Sequence, residues 1–385
     1  MAAAATNRPL KIGLAIDTSL DTSEGVPQYV LTLGAWLTGQ GHDVHYLAGE
    51  SKRQDLVNLH SLARNIRVRF NGTATTIPLP ASRRRLHQFM YEQQFDVLHV
   101  QTPHHPYMAQ RLIMAAGPHT AVLASFHSLP YNWLSRWGAR SLRWLLRPSL
   151  KRIDQMLAVS PAAARFEEWA FGLPALVSPN MIDYQRFHAA KPLPGYQKGL
   201  TVLFLGRLEP RKGCATLLEA VAMLRQQSDT PDFRVVVCGK GYLQPQLEQY
   251  CRDHGLTDMV EFAGFVSEAD KPCYYASADV AVFPSNSGEA FGIVLIEAMA
   301  SGQAAVLAGD NPGYRSVMEA KPELLFDPNS PTRLADLLHT YLADTKRRQT
   351  AASWGATESQ QYDTDQVGQA LVKHYQEVLR KRRNQ

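Results

Sequence analysis

No run of about 18 apolar residues occurs in this 385-residue chain, so no membrane-spanning helix is expected. Cysteine is scarce. Cys214, Cys238, Cys251 and Cys273 show neither metal-ligand spacing nor a disulfide framework, and each is expected as a reduced packing residue. The opening MAAAATNRPLKIGLAID lacks the basic-then-apolar order of a secretory signal and leads straight into a strand pattern. A cytoplasmic compartment is therefore expected. Charge of one sign is not in large excess either, at 40 Lys/Arg against 35 Asp/Glu. That balance hides an asymmetry, since residues 1–195 hold 20 Lys/Arg against 12 Asp/Glu and the remainder is slightly acidic. What the chain does have is 45% hydrophobic content, enough for packed cores, and a length suited to two domains of roughly 150 to 200 residues.

The first half alternates strands and helices. Strands are predicted at Lys11–Asp17, Val44–Ala48, Ile66–Phe70, Val97–Gln101, Ala121–Phe126 and Met156–Val159, with helices such as Val26–Thr38 and Arg84–Gln93 between them. Most of these strands are continuously apolar, as in a parallel sheet covered on both faces. Lys191–Gly199, with two prolines and two glycines, reads as a linker. The pattern then restarts with strands at Val202–Gly206, Val235–Gly239, Val260–Gly264, Val280–Pro284 and Ala304–Ala308. The predicted organisation is a domain over 1–190, a second over 200–360, and a C-terminal helical segment over 361–385 crossing back to the first. The expected fold class is α/β, with two Rossmann-like β/α/β domains facing across a cleft at the carboxyl ends of both sheets.

The segment Gly288–Ala300, GEAFGIVLIEAMA, carries the sharpest chemistry. Glu289 falls in a strand-to-helix loop, and Glu297 about two turns into the helix that follows. Amides around Phe291 and Gly292 would point out of the helix N-terminus, where an anion is favoured. A carboxylate cannot bind phosphate but accepts hydrogen bonds from sugar hydroxyls. Together these features suit a nucleotide diphosphate sugar.

Gly206-Arg-Leu-Glu-Pro-Arg-Lys-Gly213 follows a strand and opens a helix. There the fork of Arg207 and the point charge of Lys212 can neutralise a diphosphate leaving group. Gly239-Lys-Gly241 lets backbone approach a phosphate or ribose, but it lacks the third glycine of a dinucleotide fingerprint, which argues against a dehydrogenase. His127 ends the fifth strand and is the candidate for the reacting centre. Glu24-Gly25 opens the first helix, where Gly25 can present amides to phosphate. Asp363-Thr-Asp365 matches a metal-binding D-x-D pattern, but it lies on a C-terminal helix and not at a strand end. No metal is expected there.

These motifs resemble those of retaining glycosyltransferases of the GT-B fold that carry the E-x7-E signature. GRLEPRKG, GEAFGIVLIEAMASG and the Phe-His at the end of the fifth strand are the specific matches, and the resemblance spans nearly the full length. Within that group the chain is most similar to the phosphatidylinositol mannosyltransferases and related lipid glycosyltransferases. The resemblance implies that Arg207 and Lys212 hold the diphosphate, together with Gly25 and the amides of Phe291, Gly292 and Ile293. Gly239 and Gly241 would line the same donor site. It further implies that Glu289 binds the donor sugar, Glu297 the ribose, and that His127 touches the sugar beside the acceptor hydroxyl. In such enzymes a diphosphate oxygen takes the acceptor's proton, and no cofactor or metal is required.

Departures cluster on the acceptor side. Glu24 stands where a second glycine is usual, Pro27 where a glutamine is usual, Thr76 where a basic residue is usual, and Ser128 replaces threonine. Glu24, Pro27, Asn71, Thr76 and Ser128 are the positions expected to meet the acceptor. Arg83, Arg84 and Arg85 match the place of a basic membrane-docking patch. Trp133–Arg152 holds six basic residues and no acid, and its Trp spacing reads either as an interfacial helix or as a core helix with a solvated arginine face.

The expected function is transfer of a hexose, mannose from GDP-mannose by similarity, to a lipid headgroup such as phosphatidylinositol at the inner face of the cell membrane. The expected partners are a nucleotide-diphosphate sugar, an anionic lipid surface and a lipid acceptor, with no nucleic acid. The competing readings are a UDP-sugar-dependent enzyme with another lipid or a soluble sugar-phosphate acceptor, and a non-catalytic module that keeps the nucleotide-sugar site.

Overall fold

The computed structural model describes residues 8–384 apart from Ser23, Asn71, Gly72, Pro80, Pro106, Tyr131, Asn132 and Gln197; within 67–78 it describes backbone only. Contacts divide the chain into one unit of residues up to Met181 together with Thr364 onward, and a second of Ile182–Asp363.

The first unit is built on a seven-stranded, wholly parallel sheet in the order Leu59–Ser61, Asp43–Ala48, Lys11–Ile16, Val97–Gln101, Ala121–Phe126, Gln155–Ala158, Ala175–Val177. Every residue of Val97–Gln101 and Ala121–Phe126 is buried, which explains their unbroken apolar character. Ile66–Phe70, predicted as a member of this sheet, instead lies in the strand Asn65–Phe70, which pairs antiparallel with Thr73–Pro78 as a separate hairpin. Its polar alternation, with Asn65, Arg67 and Arg69, suits a hairpin better than a strand covered on both faces.

One face of the sheet is covered by the helices Gly25–Gly39 and Thr364–Arg383. The C-terminal helix contributes Val367, Leu371, Tyr375, Val378 and Leu379 to the core of this unit. The Tyr375 hydroxyl also meets His99 Nδ1 at 2.7 Å in the middle of the sheet, while His99 Nε2 meets the Ser125 hydroxyl at 2.7 Å. On the other face the helices Arg83–Gln93 and Met108–Ala115 pack over Leu98, Val100 and Val122.

The second unit has a six-stranded parallel sheet ordered Val260–Gly264, Phe233–Cys238, Leu200–Leu205, Val280–Phe283, Ala305–Gly309, Leu325–Phe326. The last of these strands has too few residues to carry a sequence signal. The segment read as a linker is pinned to this unit: Leu193 N–H donates to Ser277 Oγ, and Arg234 donates to the carbonyls of Gly195 and Lys198. The boundary between units falls earlier, because the helix Tyr184–His188 packs on the helices Lys271–Ala276 and Ile293–Ala300. Cys214, Cys238 and Cys251 are buried, Cys273 is half-buried, and all four are free thiols.

Candidate active site

In the second unit the chain begins at the central strand Leu200–Leu205, builds outward to Val260–Gly264, and then restarts on the opposite side at Val280–Phe283. The loops leaving Leu205 and Phe283 therefore diverge from neighbouring parallel strands and open a crevice at their carboxyl ends. The first is the Gly206–Gly213 segment singled out by sequence, and the second leads into the Gly288–Ala300 segment.

Glu289 is the hub where they meet. Its Oε1 receives Lys212 Nζ at 2.7 Å and an Arg211 guanidinium N–H at 3.1 Å, and lies 2.8 Å from the Ser285 hydroxyl. Arg211 Nε is also 2.8 Å from Glu209, which in turn is 3.2 Å from Arg207. Glu209 and Glu289 thus share Arg211 between them, with Arg207 on one side and Lys212 on the other. Burial pushes the Glu289 carboxyl upward, but Lys212, Arg211 and the hydrogen bonds outweigh it and hold the pKa below the ordinary value. Glu289 is an ionised acceptor near neutral pH, and not a proton donor. Arg211 and Ser285 escaped the sequence reading, although Arg211 stands beside Lys212 and Ser285 ends the strand motif.

A second layer sets the loop. Asn311 caps the helix Pro312–Met318 by accepting from the amides of Gly313 and Tyr314, and its side-chain amide donates to the Ser285 carbonyl at 2.9 Å. A Cβ on Gly313 would fall 2.2 Å from the Glu289 carbonyl, so only glycine lets this helix seat against the loop. Gly292 is the buried N-cap of the helix Ile293–Ala300 and supplies no side-chain cap, and the Phe291 ring is buried edge-on against Tyr362.

Two donor-site expectations acquire a different physical basis. Gly239 and Gly241 serve loop packing: added Cβ atoms would fall 1.9 Å from the Gly206 carbonyl and 2.1 Å from that of Leu208. Their lack of a side chain allows the loops 206–208 and 239–241 to lie against each other, joined by Leu208 N–H to the Lys240 carbonyl. Glu297 sits just over one turn into its helix, not two, and is 5% exposed. Its carboxylate takes Lys271 Nζ at 3.2 Å and the Tyr275 hydroxyl at 2.9 Å, and Lys271 also meets Glu268 at 2.8 Å. Burial pushes the Glu297 pKa up despite Lys271. The geometry makes Glu297 an interior partner rather than an open acceptor. Lys271 and Tyr275 lie four residues apart on one helix face, a spacing that the sequence reading passed over.

In the first unit the strand order reverses between Lys11–Ile16 and Val97–Gln101. His127 follows the adjacent strand, with Nε2 2.7 Å from Gln101 Oε1 and its ring 5.0 Å from that of Tyr29. Burial lowers its pKa to about 4, against a hydrogen bond with Asn180 that favours the charged form. His127 is thus neutral near pH 7. Asp17, just past the first strand, accepts from the Ala109 amide at 2.8 Å and supplies the cap that Tyr107 cannot give to the helix Met108–Ala115. Burial pushes Asp17 up to about 7, moderated by the Ala109 and Met108 amides.

Gly25 begins the first helix and is exposed, with Glu24 as its exposed N-cap residue, and Ser128 is exposed as well. Pro27 is buried in the first turn of that helix. Asn71 and the Thr76 side chain lie outside the described residues. Arg83, Arg84 and Arg85 are exposed in the first turn of their helix, where three cations face the positive end of the helix dipole. Asp363 accepts from the Tyr184 amide at 3.0 Å, and Asp365 from the Trp36 indole at 2.6 Å, so both carboxylates have structural partners.

Residues 23–186 match the family model described as Glycosyltransferase Family 4, and residues 186–356 that described as Glycosyl transferases group 1. The chain is 33% identical over 379 residues to the phosphatidyl-myo-inositol mannosyltransferase of Mycobacterium tuberculosis (strain H37Rv), covering 96% of this chain and 97% of that protein. It is 34% identical over 246 residues to the GDP-mannose-dependent alpha-(1-6)-phosphatidylinositol monomannoside mannosyltransferase of the same organism, covering 59% and 61%. Among solved structures, Anabaena HepE in complex with UDP-glucose superposes with a TM-score of 0.72 at 20% identity, covering 95% of this chain and 99% of that one. This last likeness establishes the GT-B fold.

Proposed function

The chain belongs to the glycosyltransferase family of the phosphatidyl-myo-inositol mannosyltransferases, and from that premise we propose that it moves mannose from GDP-mannose to a phosphatidylinositol-type lipid. The observation that carries the reading is the Glu289 hub. An ionised acceptor for sugar hydroxyls stands beside Lys212, Arg211 and Arg207, which suit a diphosphate.

In the proposed reaction the bond between the anomeric carbon and the diphosphate oxygen breaks, and its electron pair stays on the diphosphate. Lys212, Arg211 and Arg207 stabilise that growing charge. The acceptor hydroxyl forms the new bond to the anomeric carbon from the leaving-group side and gives its proton to the departing diphosphate oxygen, so the anomeric configuration is retained. The charge requirement is met by side chains, and no metal is assigned a role. His127, neutral and oriented by Gln101, is assigned a hydrogen-bonding role toward the sugar. The acceptor is assigned to the first unit, with Gly25 and Glu24 at the helix start and Ser128 beside His127. The enzyme works at the membrane surface, at the cytoplasmic face. Among the described residues no helix is long and apolar enough to cross a bilayer.

The test is transfer from radiolabelled GDP-mannose and UDP-glucose to phosphatidylinositol in vesicles, with soluble inositol phosphate as a parallel acceptor and NMR of the product linkage. Mannolipid with the donor's anomeric configuration is expected. Transfer from UDP-glucose alone, transfer to inositol phosphate alone, or an inverted product would overturn the corresponding part.

A further inference from the structure

The helix Trp133–Leu150 of the first unit turns its large apolar side chains outward. Trp133, Leu134, Trp137, Trp144 and Leu145 are between 58% and 79% exposed. Its inward side is a different set: Leu146, Ser149 and Leu150 are buried, and Ala139 and Leu142 partly so, against the helix Pro161–Phe171. The core-helix alternative left open by the sequence therefore does not account for Trp133 and Trp144, and Trp137, although its ring meets Trp169 edge-on at 5.5 Å, is still 58% exposed. A water-facing helix gains nothing from three exposed indoles, and contiguous apolar surface of this kind marks an interaction face.

Charge selects the partner. Arg136, Arg140, Arg143 and Arg147 lie exposed along the same helix, the first two over the Trp169 ring, Lys151 follows it, and the helix holds no acid, whereas Arg152 is turned to Asp154 and the Gly117 and Thr120 carbonyls. A second copy of the chain would bring like charge against like, which disfavours self-association through this face. An anionic lipid surface satisfies both features, because indoles settle at the headgroup level while arginines meet lipid phosphates. The helix also shares a layer with the arginine triplet: Arg83–Gln93 packs on Met108–Ala115, which packs on Trp133–Leu150.

We propose that Trp133–Leu150 is an apolar anchor that enters an anionic bilayer interface, adding a salt-resistant component to electrostatic docking by Arg83–Arg85. The inference rests on the reading that the acceptor is a membrane lipid.

The test uses the full chain with phosphatidylcholine vesicles, with and without phosphatidylglycerol, at low and high salt. The variant combines Trp133→Ser, Trp144→Ser and Leu145→Ser, three positions outside the packed core. Sedimentation with mixed vesicles at high salt is expected to fall about tenfold in this variant. Its melting temperature and its shift by GDP-mannose should match wild type. Independently, brominated lipid should quench wild-type tryptophan fluorescence and leave the variant largely unquenched. Equal sedimentation and equal quenching of the two proteins would overturn the anchor while leaving lipid transfer intact. Absence of wild-type binding to any vesicle would sink both this inference and the lipid-acceptor reading. A fluorescence response to RNA but not to vesicles would assign the face to nucleic acid and overturn the proposal.

Discussion

Lys212 Nζ lies 2.7 Å from Glu289 Oε1, tying the loop after the first strand of the second unit to the loop after its fourth. The two residues are 77 positions apart and meet because their strands are neighbours at the point where the sheet changes direction. The bond, with Arg211 and Ser285, keeps an acid ionised where burial alone would push its pKa up. In the proposed reaction the same pair reads both ends of the donor, hydroxyls on one side and phosphate on the other.

Removing the cation tests that coupling. Lys212→Ala should lower kcat by about 10²–10³, the loss typical of one charge-stabilising donor. Without Lys212 the Glu289 pKa should rise, so the acid limb of the pH–rate profile should move to higher pH. A fall in rate with an unmoved acid limb would mean that Lys212 does not set the ionisation of Glu289.

The Lys271–Glu297 pair should behave as an interior ion pair. Lys271→Met leaves a carboxylate buried without its cation and should cost about 3–5 kcal/mol, read from urea denaturation of the second unit. The double variant Lys271→Met/Glu297→Gln should recover much of that loss. If the double variant is as unstable as the single one, the cost lies in lost packing and not in the stranded charge.

Asp17 gives a pH signature of opposite sign to most carboxylates. Its folded pKa of about 7 lies above its unfolded value, so its protonated form adds stability that is full below the unfolded pKa and lost as pH rises through 7. Asp17→Asn should therefore gain stability over wild type at pH 8 and match it near pH 4. His127 works the other way: with a folded pKa of about 4, its contribution is present above its unfolded pKa and lost as pH falls toward 4. Chemical denaturation across this range checks both. A gain for Asp17→Asn that is the same at pH 4 and pH 8 would exclude a buried charge as its cause.

The arginine triplet should control salt-sensitive docking. Replacing Arg83, Arg84 and Arg85 with glutamine should weaken binding to anionic vesicles at low salt by roughly 3 kcal/mol, about a hundredfold, with little effect at high salt. The same change should slightly stabilise the helix Arg83–Gln93, since it removes three cations from the positive end of its dipole. Unaltered vesicle binding at low salt would remove the triplet from the docking surface.

Much of the fold was legible because burial on both faces leaves an unbroken apolar run, as in Val97–Gln101 and Ala121–Phe126. Glu289, Lys212 and the amides past Gly292 were legible because each stands at a strand-to-helix junction whose glycines mark the turn. Ile66–Phe70 misled because its β-branched and aromatic residues mark a strand without saying which sheet it joins, while its antiparallel partner Thr73–Pro78 is polar and gives little signal. The burial of Pro27 and Glu297 was not legible, because spacing says nothing about which side of a helix the core occupies.

The sequence by itself determined the parallel β/α architecture and the chemical identity of the E-x7-E segment, since both are written in residue type and local period. Only the tertiary structure decided which cation reaches which acid. Lys212 and Arg211 meet Glu289, Lys271 meets Glu297, and Glu209 takes Arg207 and Arg211, all through sheet order and helix packing. It also decided that the tryptophans of Trp133–Leu150 face outward. An amphipathic period has two possible directions, and only the packing of Leu146 and Leu150 against the neighbouring helix chooses between them.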